Sequence, residues 1–152
     1  MRAIGIMAAF LLAGLLIVPA QGAMKEQRWA PVELELSLGV SEPHSDYLFH
    51  PNKFELKLGT LYKMYIRNPS HITHYFSSGD MTYRSFTRRL EVVMPDGKRI
   101  MKHRRTVTKL ELPPGAVAEW TFVATRRGKD MKIYCFLPEH RKMGMTGSVV
   151  VK

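Results

Sequence analysis

"YCFLPEHRKMGMTG", Tyr134 to Gly147, is the stretch on which the reading turns. It holds Cys135, the only cysteine of the 152-residue chain. His140 follows five residues later, and Met145 five after that. A thiol, an imidazole and a thioether are soft or borderline-soft metal donors. The stretch upstream, "KDMKIYCF", reads as a strand ending at the cysteine, and "MTGSVVVK" reads as a last, well-buried strand. Between them the loop from Phe136 to Gly144 is long enough to curl round an ion and present both of its ends to it.

Working outward, the chain shows short alternating runs and no long helical period. In "PVELELSL" the residues Val32, Leu34, Leu36 and Leu38 alternate with polar ones, as in a half-buried strand. "KFELKLG" alternates through Phe54, Leu56 and Leu58, and "LYKMYIRN" sets Tyr62, Met64 and Ile66 on one face. "HITHYFSS" reads as a short aromatic strand after the turn Asn68–Ser70. "MTYRSFTRRLEVV" opens as a short helix and ends as a strand, followed by the turn Pro95-Asp96-Gly97. "TVTKLELPPG" reads as strand then turn, and "AVAEWTFVATRRG" as a strand carrying Val117, Trp120, Phe122 and Val123. About seven or eight short strands between turns predict an all-β sandwich or barrel.

The first residues, "MRAIGIMAAFLLAGLLIVPAQGA", have the layout of a secretory signal peptide. Arg2 gives the positive start, Ile4 to Val18 the apolar run, and Ala20, Gly22 and Ala23 the small residues near a cleavage site. The run is short of the ~20 apolar residues a membrane span needs. The expected organisation is therefore a signal peptide over 1–23 and one domain over 24–152, exported to the periplasm or a comparable compartment. About 130 residues are enough for one real core. A single cysteine makes no internal disulfide. A free thiol in an oxidising compartment must be buried or protected, and a metal would protect it.

A third strong ligand has to come from elsewhere, and "HITHYFSS" offers His71 and His74. Thiolate, two imidazoles and a weak thioether are the ligand set of a blue-copper electron-transfer centre. The trigonal arrangement of the three strong donors suits both Cu(I) and Cu(II), so little moves when an electron arrives. Cys-x4-His-x4-Met before a final strand, in an exported β-rich chain, resembles the type 1 copper cupredoxins, such as plastocyanins, azurins and rusticyanin. The segment "NPSHITHYF" is similar to that family's first-ligand segment, and "GMTGSVVV" to its ending. The resemblance covers roughly residues 31 to 152 and is specific at these two segments. It implies a Greek-key β-sandwich with one copper near one end. It also implies His74, Cys135, His140 and Met145 as ligands, with His71 in the preceding turn and Met143 on the loop surface. Two positions depart from the pattern: Glu139 stands where many members have glycine, and Tyr75 where several have asparagine.

The expected function is transfer of single electrons, with the solvent-facing edge of His140 as the path. The alternative is a copper chaperone or copper-resistance protein using the same ligands. Nothing in the sequence reads as a catalytic carboxylate pair or a Ser/His/Asp arrangement, so no enzyme is expected. His44, His50 and His103 are expected on the surface, with His44 and His50 as an alternative, adventitious metal pair. The net charge of +10 favours acidic partners. Export argues against nucleic acid, leaving an acidic redox protein or an anionic membrane surface, with the chain itself a monomer. The basic segment from Arg84 to Lys109, extended by Arg141 and Lys142, is either a solvated face or the docking patch.

Overall fold

The computed structural model describes residues 30–39 and 47–152. The expected signal segment 1–23, the boundary at 24 and His44 lie outside the described residues. Eleven strands occur among the described residues, together with two short helices and a 3-10 helix. The strands are β1 Val32–Leu38, β2 Phe49–His50, β3 Lys53–Leu56, β4 Leu61–Arg67, β5 His74–Ser77, β6 Ser85–Val93, β7 Arg99–Met101, β8 Leu110–Leu112, β9 Val117–Ala124, β10 Gly128–Cys135 and β11 Thr146–Val151. Helix α1 spans Gly79–Tyr83 and α2 spans Pro138–Lys142. Eight strands have four or more residues, in line with the expected number; β2, β7 and β8 are the short additions.

The strands form two sheets. One has the order β2-β1-β4-β9-β6-β7 and the other β3-β11-β10-β5-β8. Most neighbours are antiparallel, but β1 runs parallel to β4 and β3 parallel to β11. Two sheets whose neighbouring strands are mostly non-consecutive in the chain make the architecture the Greek-key type of β-sandwich expected from the sequence. Alternation dictates the facing, because successive side chains point to opposite sides of a strand. Tyr62, Met64 and Ile66 of β4 are buried, as are Leu36 and Leu38 of β1. Between the sheets Trp120 stacks near Phe122 with ring centroids 4.2 Å apart and meets Phe76 of the opposite sheet at 6.4 Å. The buried indole N–H donates to Thr87 Oγ1 at 3.0 Å, so the core's largest side chain leaves no unmet donor.

One local expectation, a strand from Thr106, needs correction, and two features add detail to the sequence reading. In β9 the inward residues are Ala118, Trp120, Phe122 and Ala124, while Val117 and Val123 lie half-buried on the other face. The small alanines leave room for the aromatic pair, which an apolarity count does not register. Residues Arg104–Lys109 form a 3-10 helix rather than the start of a strand, and β8 begins only at Leu110. Its Val107 is fully buried in the core, and the Val107 carbonyl accepts from Ser78 N at 3.3 Å. The loop after Cys135 carries the helix α2, nucleated by Pro138 in its first turn.

Candidate metal centre

The site is built where β5 begins and β10 ends. These strands pair antiparallel with Phe76 opposite Cys135 and Ser77 opposite Tyr134. His74 lies two residues before Phe76, so it shares the inward face with Phe76 and Cys135. All three are fully buried. The register alone therefore aims one imidazole and the thiol into the same end of the sandwich. A slip of one residue would turn both outward.

His140 reaches this point from α2. The chain leaves β10 at Cys135, turns through Leu137 and winds one short helix. Gly144, at φ +108°, then reverses it towards β11. The backbone stitches the loop shut: Met145 N donates to the His140 carbonyl at 3.1 Å, and Cys135 N donates to the Met145 carbonyl at 3.0 Å. The four residues of the expected site are thus held by one compact hydrogen-bonded loop and one strand pairing.

His74 Nδ1 and His140 Nδ1 face each other at 3.2 Å, and Cys135 Sγ lies 3.6 Å from His140 Nδ1. One donor atom from each of the three residues fits within 4.8 Å of the others. Bonds of about 2.0–2.1 Å to nitrogen and about 2.3 Å to sulfur hold ligand atoms roughly 3.2–3.8 Å apart around one ion. The two separations measured from His140 Nδ1 fall in that range, and the three residues are positioned to bind a metal ion. Burial desolvates the His140 imidazolium and lowers its pKa, against the opposing pull of the Glu139 carboxylate. A lowered pKa keeps the ring neutral, the form that ligates metals.

The residues that the sequence left as alternatives differ in burial. His71 is exposed while His74 is buried, and Met143 is 50% exposed while Met145 is 0% exposed. His50 and His103 are exposed, and neither joins the cluster.

Two neighbours were not read from the sequence as parts of the site. Tyr47 sets its ring edge-on to His140 with centroids 4.8 Å apart, and to His74 at 6.5 Å. It precedes β2 in a segment read only as loop, and no local signal brings it here. Asn68 was read as a turn residue, but it is buried and organises the approach to His74. Its Nδ2 donates to the carbonyls of Ile72 and Leu112, both at 2.8 Å. Its Oδ1 accepts from Ser70 N at 3.1 Å and Ser70 Oγ at 2.7 Å. Tyr75, at the position where several cupredoxins have asparagine, points away from the cluster. Its ring lies near Phe136, with Lys109 Nζ 4.2 Å above the Phe136 ring.

No family model matches the sequence, and neither does any curated protein. Solved structures do match. A multicopper oxidase from Campylobacter jejuni superposes with a TM-score of 0.54 at 19% identity over 81% of this chain. The chain spans 30% of that oxidase's length. Reduced auracyanin from the photosynthetic bacterium Roseiflexus castenholzii gives a TM-score of 0.51 at 18% identity, covering 81% of this chain and 98% of its own. Auracyanin B gives 0.50 at 17% identity, covering 81% and 91%. At such identities the shared property is the fold, and its extent equals nearly a whole auracyanin. This chain is a cupredoxin-like β-sandwich with a His-Cys-His cluster poised at one end.

Proposed function

We propose that the chain holds one copper ion through His74, Cys135 and His140, with Met145 as a weak fourth ligand, and carries single electrons. The observation that carries this reading is the convergence of two imidazole nitrogens and one thiol, two of the three residues being fully buried. Copper bound by such donors supplies a one-electron couple. The chain's own part is to keep the donors fixed. Cys135 is locked by its strand pairing and by the Met145 carbonyl, and His74 by the Asn68 turn. A donor set that does not have to rearrange between charge states makes electron exchange fast. His140, only partly exposed on α2, is the one strong donor with an edge towards solvent, and it is the proposed exit for the electron. Met145, buried beside the loop closure, is placed to tune the couple rather than to anchor the ion.

The proposed setting is export, as the first 23 residues of the sequence suggest, and the proposed partner is an acidic redox protein. Arg141 and Lys109 stand over aromatic rings around the metal loop, Arg141 4.8 Å from Tyr134, and Lys142 follows on α2. Complementary charge here would speed encounter at low salt. Electron exchange with an acidic partner should slow as ionic strength rises, and a salt-independent rate would count against this partner.

The deciding experiment is reconstitution with Cu(II) and a visible spectrum. An intense thiolate-to-copper charge-transfer band is expected, and Cys135→Ser should abolish it while leaving the far-UV circular dichroism unchanged. A variant that binds Cu(II) with the same spectrum would sink the site. Ready loss of Cu(I) to a competing chelator, with poor cycling between oxidised and reduced forms, would favour a copper carrier instead.

A further inference from the structure

The end of the sandwich away from the metal cluster gathers exposed apolar side chains and cations free of ion pairs among the described residues. Strand β10 runs from Gly128 to Cys135, so its start lies roughly 20 Å from the cluster at about 3.3 Å per residue. Strand register gathers distant parts of the sequence at that end. Val32 pairs with Tyr62, Leu61 with Val123, and Phe86 with Val123 from the other side. Leu58 N donates to the Lys152 carbonyl and Gly59 N to the Ala124 carbonyl, both at 2.8 Å. The Arg84 carbonyl accepts from Thr125 N and Arg126 N, which brings Tyr83 and the Arg126-Arg127 turn together.

Four of the large apolar side chains exposed among the described residues stand here: Val32 at 48%, Leu58 at 41%, Tyr83 at 75% and Phe86 at 57%. Cations surround them. Arg126 and Arg127 are exposed and make no ion pair among the described residues, and Lys129 is exposed beside them. The described chain also enters the fold at this end, at Ala30, downstream of the apolar run Ile4 to Val18 of the sequence.

We propose that this distal end docks on an anionic lipid membrane, with Val32, Leu58, Tyr83 and Phe86 entering the headgroup layer and Arg126 and Arg127 pairing with lipid phosphates. The apolar groups protrude singly from four segments. That suits a yielding lipid interface, where aromatic rings and cations settle together. A protein partner would need a shaped cavity for each of them. Net charge complements the surface, since each cation near an anionic leaflet adds to binding. Docking by this end points the metal cluster away from the membrane, into the space where a soluble partner moves. The proposal rests on this surface and not on the identity of the metal.

Co-sedimentation of the exported chain, residues 24–152, with vesicles tests it, using phosphatidylcholine alone and phosphatidylcholine with about a quarter phosphatidylglycerol. Expected is binding to the anionic vesicles that weakens strongly with salt. Arg126→Glu with Arg127→Glu should lower affinity at least about tenfold. Tyr83→Ser with Phe86→Ser should lower it severalfold, with unchanged circular dichroism. Lys98→Glu with Lys102→Glu makes the same change in net charge away from this end, on either side of β7, and should lower it less than about threefold. Equal binding to both vesicle types, or equal loss from both charge reversals, overturns the proposal. So does capture of polyglutamate through Arg126 and Arg127 by a chain that ignores vesicles, since the surface would then serve an acidic protein.

Discussion

Replacing Asn68 by alanine should be among the costliest single changes near the metal centre that touches no ligand. The residue ties together the two loops that cross between the sheets at that end. Its backbone N donates to the Ala116 carbonyl at 3.0 Å, and its carbonyl accepts from Gly115 N at 2.8 Å. Alanine keeps both of those bonds. The four side-chain bonds are lost, and with them partners for Ser70 N and for the carbonyls of Ile72 and Leu112. The Ile72 carbonyl still accepts from Ser70 Oγ at 3.1 Å, which softens one of the losses. At about 1 kcal/mol for a typical bond, and more where a buried group is stranded, the total comes to about 3–4 kcal/mol. For a domain of this size that corresponds to a fall in Tm of roughly 12–16 °C.

Urea unfolding of metal-free wild type and Asn68→Ala measures this directly, and a double-mutant cycle locates the cause. Ser70→Ala alone should cost about 1 kcal/mol. Because Ser70 Oγ donates to Asn68 Oδ1, the double variant should lose less than the sum by about 1 kcal/mol. Copper affinity should fall as well, since the loosened segment leads into His74. A loss below about 1 kcal/mol for Asn68→Ala, or full additivity with Ser70→Ala, would refute the account of this turn as a pinned unit.

The acid response should trace to Glu91. The Arg89 and Arg99 guanidiniums, at 2.8 and 2.7 Å, hold its carboxyl at about 2, below the ordinary 4.5. A carboxyl depressed on folding stabilises above its unfolded pKa, and that contribution disappears as pH falls through 4.5 towards 2. The urea midpoint of wild type should therefore fall more steeply over this range than that of Glu91→Gln, and parallel slopes would contradict the assignment. Met145→Leu should keep the visible band and raise the reduction potential, while Met143→Leu, half-exposed, should leave the potential where it was. Gly147→Ala should destabilise by about 1–3 kcal/mol in urea, because the new Cβ would run into the Asn52 carbonyl oxygen and sit 3.0 Å from Ile133 Cγ1. A loss under about 0.5 kcal/mol would show that β3 can move aside.

Strands with one buried face were legible in the sequence, because β1, β3 and β4 write that face as alternation. Sheet order was not, since the parallel pairing of β1 with β4 depends on contacts between residues about 30 positions apart. The short strands β2, β7 and β8 carry too few residues for any period to show. Within the site, the ligand types and spacing after Cys135 pointed to the loop and the family resemblance to His74 over His71, while the register of β5 against β10 shows how His74 comes to face Cys135. Tyr47 comes from a loop with no distinguishing signal, and its position follows from β2 pairing with the end of β1. The basic run from Arg84 to Lys109 looked continuous as sequence. In three dimensions Arg89 and Arg99 turn to Glu91, Lys98 lies beyond the far end of β6, and Arg84 joins the distal end.

The two ends of the sandwich differ in how cations meet aromatic rings, and this is why they suit different surfaces. Around the metal loop Lys109 covers Phe136 and Arg141 covers Tyr134. Each ring has a cation over one face, although Phe136 stays 41% exposed. Such a surface presents charge in fixed positions, which favours oriented encounter with another protein over insertion into lipid. At the distal end no cation lies over Tyr83 or Phe86 among the described residues. Their rings are bare, and Arg126 and Arg127 are not tied down by ion pairs. Bare rings beside unpaired guanidiniums are the combination that gains most from a headgroup layer, where the ring leaves water and the charge finds phosphate. Uncovering the rings at the metal end alone, by Lys109→Ala and Arg141→Ala, adds no free cations and should not create vesicle binding. If it did, exposed apolar area alone would suffice, and the pairing of ring with free cation would not be what distinguishes the ends.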